Sequence, residues 1–422
     1  MSQSPQKPYF DPSDPVFQAN PYARFKPLYD VALQEMAWAH MPRSISVAVP
    51  RGLPGFVAAR YDHVTTILRD PQRFSSVRPR LPEGASFKRT PLNVFGVTNM
   101  VFLDAPEHTR LRRLLNRAFS LRQIRLFEPH IEAIVTEVMD GLSRIAAGTG
   151  RFELVADFAN PIPSMVIAFL LGVPTQSYAS FKYWSDTTVS ADGIPPGQPY
   201  PAEIHEAAAA LRKFMDAQIE DKRRNPGDDM ISLLVTAQEE RDALTDAELK
   251  SFAMLLLTAG NETTANLLGN GILALCRHPG QFEMLRSDLS LVPAAVEEML
   301  RYDPPQQGTV RWAKADTEVD GTPIHAGQPI VILLGAANHD PAKFENPDVF
   351  DITRRASDDH VAFGEGIHHC LGVGVARYEA VKALSALLER FPKLRLANPG
   401  EEVVYKPTFF IRGIKSLPVA VD

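Results

Sequence analysis

The feature of this sequence that most constrains its fold is a long apolar segment near the middle of the chain. Thr245 and Glu248 begin it with a capping-box pattern, in which the two side chains reciprocally satisfy free amides at a helix start. The residues that follow are apolar on nearly every face of the predicted helix, which is typical of a helix that passes through a protein interior. The sequence therefore predicts a buried central helix over residues 245–277.

Helical periodicity also dominates the rest of the chain, whereas strand patterns are short. We predict further helices over residues 131–146, 160–172, 203–224, 293–302 and 375–390. We predict short strands at 44–50 and 55–61, and a hairpin within 317–334 that turns at Asp320-Gly321. The result is a mainly α fold with a smaller β region. Because residues 1–20 are rich in proline and no linker divides the remainder, we predict an extended N-terminal segment (1–20) and a single domain over 21–422.

Composition narrows the class of protein. Apolar residues make up 45% of the chain and charged residues 22%, which are ordinary values for a globular enzyme. The net charge of -6 argues against nucleic acid as the main partner, since phosphate binding usually needs a basic surface. No run approaches the ~20 apolar residues of a membrane span, so we expect no membrane association. The two cysteines, Cys276 and Cys370, lack the spacing of a disulfide or zinc framework, which favours a reducing cytoplasm.

The most specific motif surrounds Cys370, in the segment Phe363-Gly-Glu-Gly-Ile-His-His-Cys-Leu-Gly372. Its glycines permit close approach to a flat group, and the following predicted helix presents an amino end that favours a thiolate. The segment resembles the haem-binding loop of the cytochrome P450 family, Phe-Gly-x-Gly-x-His-x-Cys-x-Gly, and matches it at every position. The resemblance implies haem b with Cys370 as the iron ligand, held between the long central helix and the cysteine loop.

Three other interpretations of this segment are weaker. A lone cysteine is more often a buried, inert residue. A zinc site would require His368, His369 and Cys370 to converge on one tetrahedral ion, which three adjacent residues do not do easily. Gly372-Val-Gly374 begins like a dinucleotide fingerprint but lacks the third glycine and a suitable preceding strand. The complete motif favours haem over all three.

Glu298 and Arg301 lie three residues apart and can pair on one helix face. That spacing alone predicts nothing, because it recurs at Glu107/Arg110, Glu220/Arg223 and Glu283/Arg286. Their context is distinctive, since Tyr-Asp-Pro-Pro follows and Asn346–Arg354 precedes the cysteine loop, an order similar to that of the P450 family. By this resemblance, Glu298, Arg301 and Arg354 form a buried structural triad that holds the loop.

The resemblance also implies residues that contact the haem. His108 and Arg112 match the family's His-x-x-x-Arg, and their spacing of four places them on one helix face. With Arg311 and His368 they are expected to bind the haem propionates, while Phe363 and Gly364 contact the ring. A solvated basic face remains the alternative for Arg112, and more so for Arg110 and Arg113.

The central helix carries a polar interruption, Ala259-Gly-Asn-Glu-Thr-Thr264. A carboxylate inside an apolar helix is costly unless it serves a function. The segment resembles the family's oxygen-activating motif Ala-Gly-x-(Asp/Glu)-Thr, which implies that Glu262 relays protons and that Thr263 directs a proton to dioxygen. Glycine and a backbone-bonding threonine loosen a helix locally. Alternatively, Thr263 only returns a hydrogen bond to a carbonyl; the sequon at Asn261 is accidental in an apolar helix.

Electron supply and substrate are predicted less directly. Between Glu107 and Glu128 the sequence has arginines and no acidic residue, at positions 110, 112, 113, 117, 122 and 125. This local charge reversal predicts docking of an acidic ferredoxin, itself served by a reductase, with ordinary helix surface as the alternative. By resemblance, an apolar substrate pocket is expected, and core packing explains each member equally well. Its predicted members are Phe87, Leu92, Phe95, Val97, Leu255, Ala259, Val310 and Phe409.

The ordered motifs span residues 20–422 and identify the chain as a member of the cytochrome P450 family, of the bacterial, soluble, ferredoxin-dependent type. This implies a monooxygenase that inserts one oxygen atom from O2 into a hydrophobic small molecule by hydroxylation or epoxidation. A haem-thiolate peroxygenase or oxidative-coupling enzyme is the nearest alternative, and a non-catalytic haem sensor is a third. The pair Glu262-Thr263 favours the use of dioxygen.

Overall fold

The computed structural model describes residues 14–36, 55–77, 99–189, 199–236, 244–355, 357–406, 408 and 410–422. These residues belong to two compact units, and the chain passes between them repeatedly. The first unit is built from residues 1–87, 266–370 and 398–417, and the second from residues 88–265, 371–397 and 418–422. The single domain over 21–422 therefore stays a prediction.

Helices supply most of the secondary structure, as the sequence predicts. The helices are α1 (Pro15–Ala19), α2 (Pro21–Phe25), α3 (Tyr61–Arg69), α4 (Glu107–Ala118), α5 (Leu121–Thr149), α6 (Pro161–Leu170), α7 (Tyr178–Val189), α8 (Ala202–Arg224), α9 (Met230–Thr236), α10 (Asp246–Leu255), α11 (Asn261–Arg277), α12 (Pro279–Ser287), α13 (Val292–Tyr302), α14 (Leu334–Ala337) and α15 (Val373–Arg390). The strands are β1 (Gln34–Met36), β2 (Gly55–Ala58), β3 (Phe74–Ser75), β4 (Arg151–Glu153), β5 (Gly308–Ala313), β6 (Thr317–Val319), β7 (Thr322–Ile324), β8 (Pro329–Leu333), β9 (Arg395–Leu396) and β10 (Pro418–Ala420). The mainly α class with a smaller β region is confirmed.

The first unit is organised around a five-stranded sheet in the order β1-β2-β8-β5-β3. Strand β8 is buried along its whole length and pairs with β2 in parallel and with β5 antiparallel. Its side chains alternate between two apolar clusters, because successive residues of a strand point to opposite faces. Val331 packs with Phe17 and Phe25 of the N-terminal helices, whereas Ile332 packs with Val64 and Ile67 of α3.

Three local predictions in the first unit have different outcomes. The hairpin is confirmed for β6 and β7, where Asp320 and Gly321 both have positive φ, as a two-residue type I′ turn requires. The strand predicted over 55–61 is too long: it ends at Ala58, and α3 begins at Tyr61. The apolar face of α3 repeats at helical spacing, and this overrides the alternation before it. The strand predicted at 44–50 lies outside the described residues.

The extended N-terminal segment predicted over residues 1–20 is wrong for its last part. Residues 15–19 form helix α1, with Pro15 at its first position and Asp14 as its cap. The Asp14 carboxylate accepts a hydrogen bond from the Val16 amide at 2.9 Å. Phe17 is buried against the sheet, so apolar packing and capping together favour a helix over an extended chain.

The second unit is organised around α5, which begins earlier than the predicted 131–146. Ser120 caps it by accepting a hydrogen bond from the Gln123 amide, and Gly150 ends it with a φ of 65°. Helix α5 packs against α6 through an edge-to-face contact of Phe127 with Phe169. It also packs against α15, where the Tyr378 hydroxyl donates to Glu132 at 2.8 Å. Strands β4, β10 and β9 form a small sheet at this unit's edge.

The predicted central helix over 245–277 is present but is not uniform. Its start carries the predicted capping box, in which the Thr245 amide donates to Glu248 and the Glu248 amide donates to the Thr245 hydroxyl. Between α10 and α11, residues Leu256–Gly260 form a π-helical turn. Such turns occur in short pieces and frequently mark functional positions. Of the helices that the structure describes, none combines the length and apolarity that crossing a membrane requires.

Candidate active site

The cysteine loop closes on itself through backbone hydrogen bonds. The Cys370 amide donates to the Phe363 carbonyl at 2.9 Å, and the His369 amide donates to the Gly366 carbonyl at 3.1 Å. The Cys370 side chain is partly exposed. Helix α15 begins three residues later at Val373, close to the start predicted from sequence. The loop therefore presents a thiol from a constrained backbone just before a helix start.

Two glycines of the loop have left-handed backbone angles, with φ of 69° at Gly364 and 68° at Gly366. Gly366 also lies against the end of α3, since a Cβ atom there would come within 2.3 Å of the Leu68 carbonyl oxygen. Next to it, Arg69 forms a two-armed ion pair with Glu365 at 3.1 and 3.2 Å. Burial alone would raise the pKa of Glu365, but the bonds and charge of Arg69 lower it below its usual value.

The first unit brings Glu298, Arg301 and Arg354 together. Arg301 Nε and Nη2 donate to the two oxygens of Glu298, each at 2.8 Å, and both side chains are fully buried. Arg354 Nε lies 3.3 Å from Glu298 Oε1. By contrast, the equally spaced pairs Glu220/Arg223 and Glu283/Arg286 lie on the surface at 3.7 Å. Burial and two-armed geometry, rather than spacing, distinguish this cluster.

Backbone carbonyls occupy the remaining donors of the two arginines. Arg301 Nη1 donates to Asn338 and Pro347 at 2.9 Å, and Arg354 Nη2 donates to Val349 at 2.8 Å. The Asn338 side chain in turn accepts a hydrogen bond from the Val361 amide at 2.8 Å. Asn338 thus connects the buried ion pair to the chain that enters the cysteine loop. Sequence reasoning missed this residue, because an asparagine in a loop carries no periodic signal.

Two further predicted haem contacts lie in the first unit. Arg311 on β5 is buried, and its Nη1 donates to the Val310 carbonyl at 2.9 Å. His368 Nε2 shares a hydrogen bond with the Ser76 hydroxyl at 2.9 Å. Phe363 stands next to His369 with its ring edge-to-face at 6.5 Å between centroids. His368 and Phe363 supply a ring nitrogen and an aromatic face within the loop, and Arg311 supplies a buried cation on β5.

In the second unit, the π-helical turn overlaps the first two residues of the predicted oxygen motif, Ala259 and Gly260. Gly260 allows close packing there, since a Cβ atom would lie 2.6 Å from Ile167. The Thr263 hydroxyl donates to the Ala259 carbonyl at 2.6 Å, and the Thr264 hydroxyl to the Gly260 carbonyl at 3.2 Å. Glu262 is half-buried. The donor position of the Thr263 hydroxyl is therefore used within the helix, while its oxygen can still accept.

The basic residues of helix α4 lie in two environments, some in the protein interior and some on its surface. His108 is buried, and Arg112, four residues later on the same helix face, is half-buried. Arg110 forms an ion pair with Glu248 of α10. The remaining predicted arginines of α4 and α5 are exposed, namely Arg113, Arg117, Arg122 and Arg125.

The predicted substrate residues are described only in part. Leu255 is half-buried and Ala259 is exposed in the second unit, and Val310 is half-buried in the first. The other predicted members, Phe87, Leu92, Phe95, Val97 and Phe409, lie outside the described residues.

Sequence reasoning also missed a buried acid in the second unit. Glu379 on α15 is 3% exposed, and burial raises its pKa to about 8. A glutamate on the apolar face shared by Val375, Ala380 and Ala383 was the available signal.

The donor set of the chain fits a haem group. Neither Cys370 nor Cys276 forms a disulfide, so the Cys370 sulfur is chemically competent as a ligand. The loop before it contains two glycines with positive φ, and the absence of side chains at these positions permits close approach of a flat macrocycle. Arg311, His368 and Arg112 are the types of side chain that bind carboxylates.

Comparison with known proteins places this geometry in a family. The family model for cytochrome P450 matches residues 50–401. The chain is 40% identical to the cytochrome P450 monooxygenase PikC of Streptomyces venezuelae, over 96% of this chain and 91% of that protein. It is 39% identical to the vitamin D(3) 25-hydroxylase of Pseudonocardia autotrophica, over 89% and 90% of the two chains. A solved structure of P450BioI, in complex with an acyl carrier protein ligated to hexadec-9Z-enoic acid, superimposes with a TM-score of 0.82, 36% identity and coverage of 96% and 99%.

The chain belongs to the cytochrome P450 family. It is a haem-containing monooxygenase that acts on small organic molecules.

Proposed function

We propose that this monooxygenase hydroxylates or epoxidises a hydrophobic substrate with electrons from a ferredoxin and its reductase. The substrate and O2 are consumed with two electrons and two protons, one oxygen atom enters the product and the other leaves as water. The observation that carries the proposal is the pair Glu262-Thr263 directly after the π-helical turn of the central helix. When bound, the haem supplies the iron at which O2 is reduced, and a thiolate ligand favours O–O cleavage.

Cys370 is the proposed iron ligand. Phe363 and Gly364 are the proposed contacts to the ring, and the cationic and imidazole side chains bind the propionates. Those residues are Arg311, His368, His108 and Arg112. Glu298, Arg301 and Arg354 act indirectly. Through Asn338, their buried ion pair stabilises the part of the chain that enters the cysteine loop.

Glu262 and Thr263 are the proposed proton-handling residues. Since the Thr263 proton is held by the Ala259 carbonyl, its oxygen would accept a hydrogen bond from a proton carrier and so hold that proton at Thr263 Oγ1. Glu262 is half-buried, which allows it to exchange protons with solvent and pass them inward. In this proposal, Glu262 supplies protons and Thr263 positions them.

The exposed arginines of α4 and α5 form the proposed docking surface for an acidic ferredoxin. Two exposed leucines lie among them, Leu121 at 77% and Leu126 at 59% exposure. A basic surface with an apolar centre suits a transient partner, because charges speed the encounter and the leucines supply contact area. A cytoplasmic location follows from this partnership, since the reductase and its nucleotide donor are found there.

The substrate is proposed to be hydrophobic, with Leu255, Ala259 and Val310 among its contacts and Phe87, Leu92, Phe95, Val97 and Phe409 completing the pocket. Apolar walls with few polar groups are typical of ligand sites. The vitamin D(3) 25-hydroxylase, at 39% identity, supports a large apolar substrate.

The proposal is tested with 18O-labelled dioxygen. The ferric enzyme is first screened against terpenoids, steroids, macrolides and aromatic compounds for a low-spin to high-spin change. A responding compound is then incubated with ferredoxin, reductase, reduced nucleotide and labelled O2. We expect one labelled oxygen per product molecule and no product without ferredoxin. Product formed from hydrogen peroxide alone, at the same rate and without the electron donors, would overturn the proposal.

A further inference from the structure

A cavity of about 220 Å³ lies within the second unit, between α4 and α10. Leu111 and Leu115 of α4 line one side, Phe252 and Leu255 of α10 line the other, and Met100 lies at its edge. An engineered apolar cavity of about 150 Å³ binds benzene. This cavity is larger and equally apolar along these walls, so it has room for one ring compound with a small substituent.

One polar side chain in the cavity wall has an unused donor. Asn99 is 1% exposed, and its side-chain oxygen accepts a hydrogen bond from the Val101 amide at 3.0 Å. That bond fixes the orientation of the amide group. Within the part of the chain that the structure describes, Asn99 Nδ2 has no hydrogen-bond partner. A buried donor without an acceptor costs free energy. A bound ligand that accepts a hydrogen bond from Nδ2 removes this cost and also gains the bond.

The charged residues of the cavity wall argue for a neutral ligand. Glu248 Oε1 pairs with Arg110, and its Oε2 accepts from the Thr245 amide at 2.8 Å, so both oxygens are engaged. Glu107, at the exposed side, disfavours an anion.

We propose that this cavity is a binding site for a small neutral ring compound bearing a carbonyl group, with Asn99 Nδ2 donating to the carbonyl oxygen. The ring packs between the apolar faces of α4 and α10. Both helices of the cavity wall continue into the proposed active site. Helix α10 leads through the π-helical turn to Glu262, and α4 carries His108 and Arg112. A bound ligand stabilises the packing of these two helices.

The test uses the haem-loaded enzyme and two probes of nearly equal shape, acetophenone and ethylbenzene, of which only the first has an acceptor. A saturating azole that coordinates the haem iron blocks binding on the haem side. Calorimetric titration then measures the binding of each probe at sites other than the haem. We expect acetophenone to bind with one molecule per chain and about fivefold more tightly than ethylbenzene, as one net hydrogen bond provides.

Two variants and a control locate this binding. Asn99→Asp keeps a capping oxygen for the Val101 amide but replaces the Nδ2 donor by an acceptor, and we expect the preference for acetophenone to fall to about one or below. Asn116→Ser, on the exposed side of α4, should keep the wild-type preference. Ser251 of α10 also lines the cavity. Ser251→Phe fills it and should abolish binding of both probes, with the haem spectrum and melting temperature reporting an intact fold. Loss of wild-type binding in the presence of the azole, or an unchanged preference in Asn99→Asp, would overturn the proposal.

Discussion

At the scale of single residues, the side chain of Thr263 illustrates how one hydrogen bond allows two interpretations. Its hydroxyl donates to the Ala259 carbonyl at 2.6 Å, as a threonine that only returns a bond to its own helix would do. The same bond fixes the hydroxyl proton and turns the oxygen's lone pairs outward. The residue type and its motif are legible in the sequence, whereas this direction of the hydrogen bond is a property of the folded helix alone.

Replacing Thr263 by alanine separates these interpretations. If the hydroxyl places a proton near O2, Thr263→Ala should bind haem and substrate normally and still consume electrons. Product per electron pair should fall by roughly tenfold while hydrogen peroxide rises, because protons reach the wrong oxygen. Thr263→Ser, which keeps the hydroxyl, should restore most of the coupling. Product and peroxide are measured in one reaction, and unchanged coupling in Thr263→Ala shows that the hydroxyl is only a helix contact.

At the scale of elements, the burial of the Glu298–Arg301 ion pair on α13 is stronger evidence for a structural role than the spacing of the two residues in the sequence. The pairs Glu220/Arg223 and Glu283/Arg286 have the same spacing but remain partly exposed, whereas tertiary packing removes Glu298 and Arg301 from solvent. The π-helical turn and the break between β2 and α3 escape sequence reasoning for the same reason. Both depend on which apolar faces find partners, and periodicity does not specify the partner.

Arg301→Leu should be strongly destabilising. It leaves the Glu298 carboxylate buried without its main partner, which costs about 3 to 5 kcal/mol of unfolding free energy. Arg224→Leu is the matched control, since its pair with Glu220 is exposed at 69% and 55% and contributes less than about 1 kcal/mol. Denaturant unfolding of the two variants measures the difference, and equal effects would show that burial of the pair is unimportant.

Gly366→Ala should reduce haem binding by the cysteine loop more than its unfavourable backbone angle alone explains. An alanine at φ 68° costs roughly 1 to 2 kcal/mol, and its Cβ would also lie 2.3 Å from the Leu68 carbonyl. Gly327→Ala is the control, because Gly327 has a φ of 78° but open space around it. Haem content per purified chain should fall clearly in Gly366→Ala only. Equal haem content in the two variants would rule out the close contact with α3.

At the scale of the whole molecule, charge is distributed unevenly. The chain has a net charge of -6, yet residues 113–125 of α4 and α5 include four exposed arginines. The sequence shows this reversal and the ordered motifs of the family, so class, cofactor and fold type could be predicted from it. It could not show the division into two units or the register of the five-stranded sheet, because these depend on contacts between residues far apart in the chain.

Arg113→Ala tests the basic surface. We expect the first electron transfer from reduced ferredoxin to slow about threefold at low salt, with the difference disappearing at high salt as charges are screened. Arg224→Ala, which removes another exposed arginine, from α8, should leave the rate unchanged. Stopped-flow reduction across a series of ionic strengths measures both. Identical rates for wild type and Arg113→Ala at every ionic strength would exclude this surface as the docking site.

The central claim is that Cys370 is the thiolate ligand of the haem iron, and the absorption spectrum of the reduced carbon monoxide complex tests it most directly. A thiolate ligand gives this complex a long-wavelength Soret band, because the sulfur donates electron density to the iron. Cys276→Ser should keep that band, since the substitution leaves the ligand in place. Cys370→Ser should bind less haem and lose the band completely. If the band survives in Cys370→Ser, the ligand assignment is wrong.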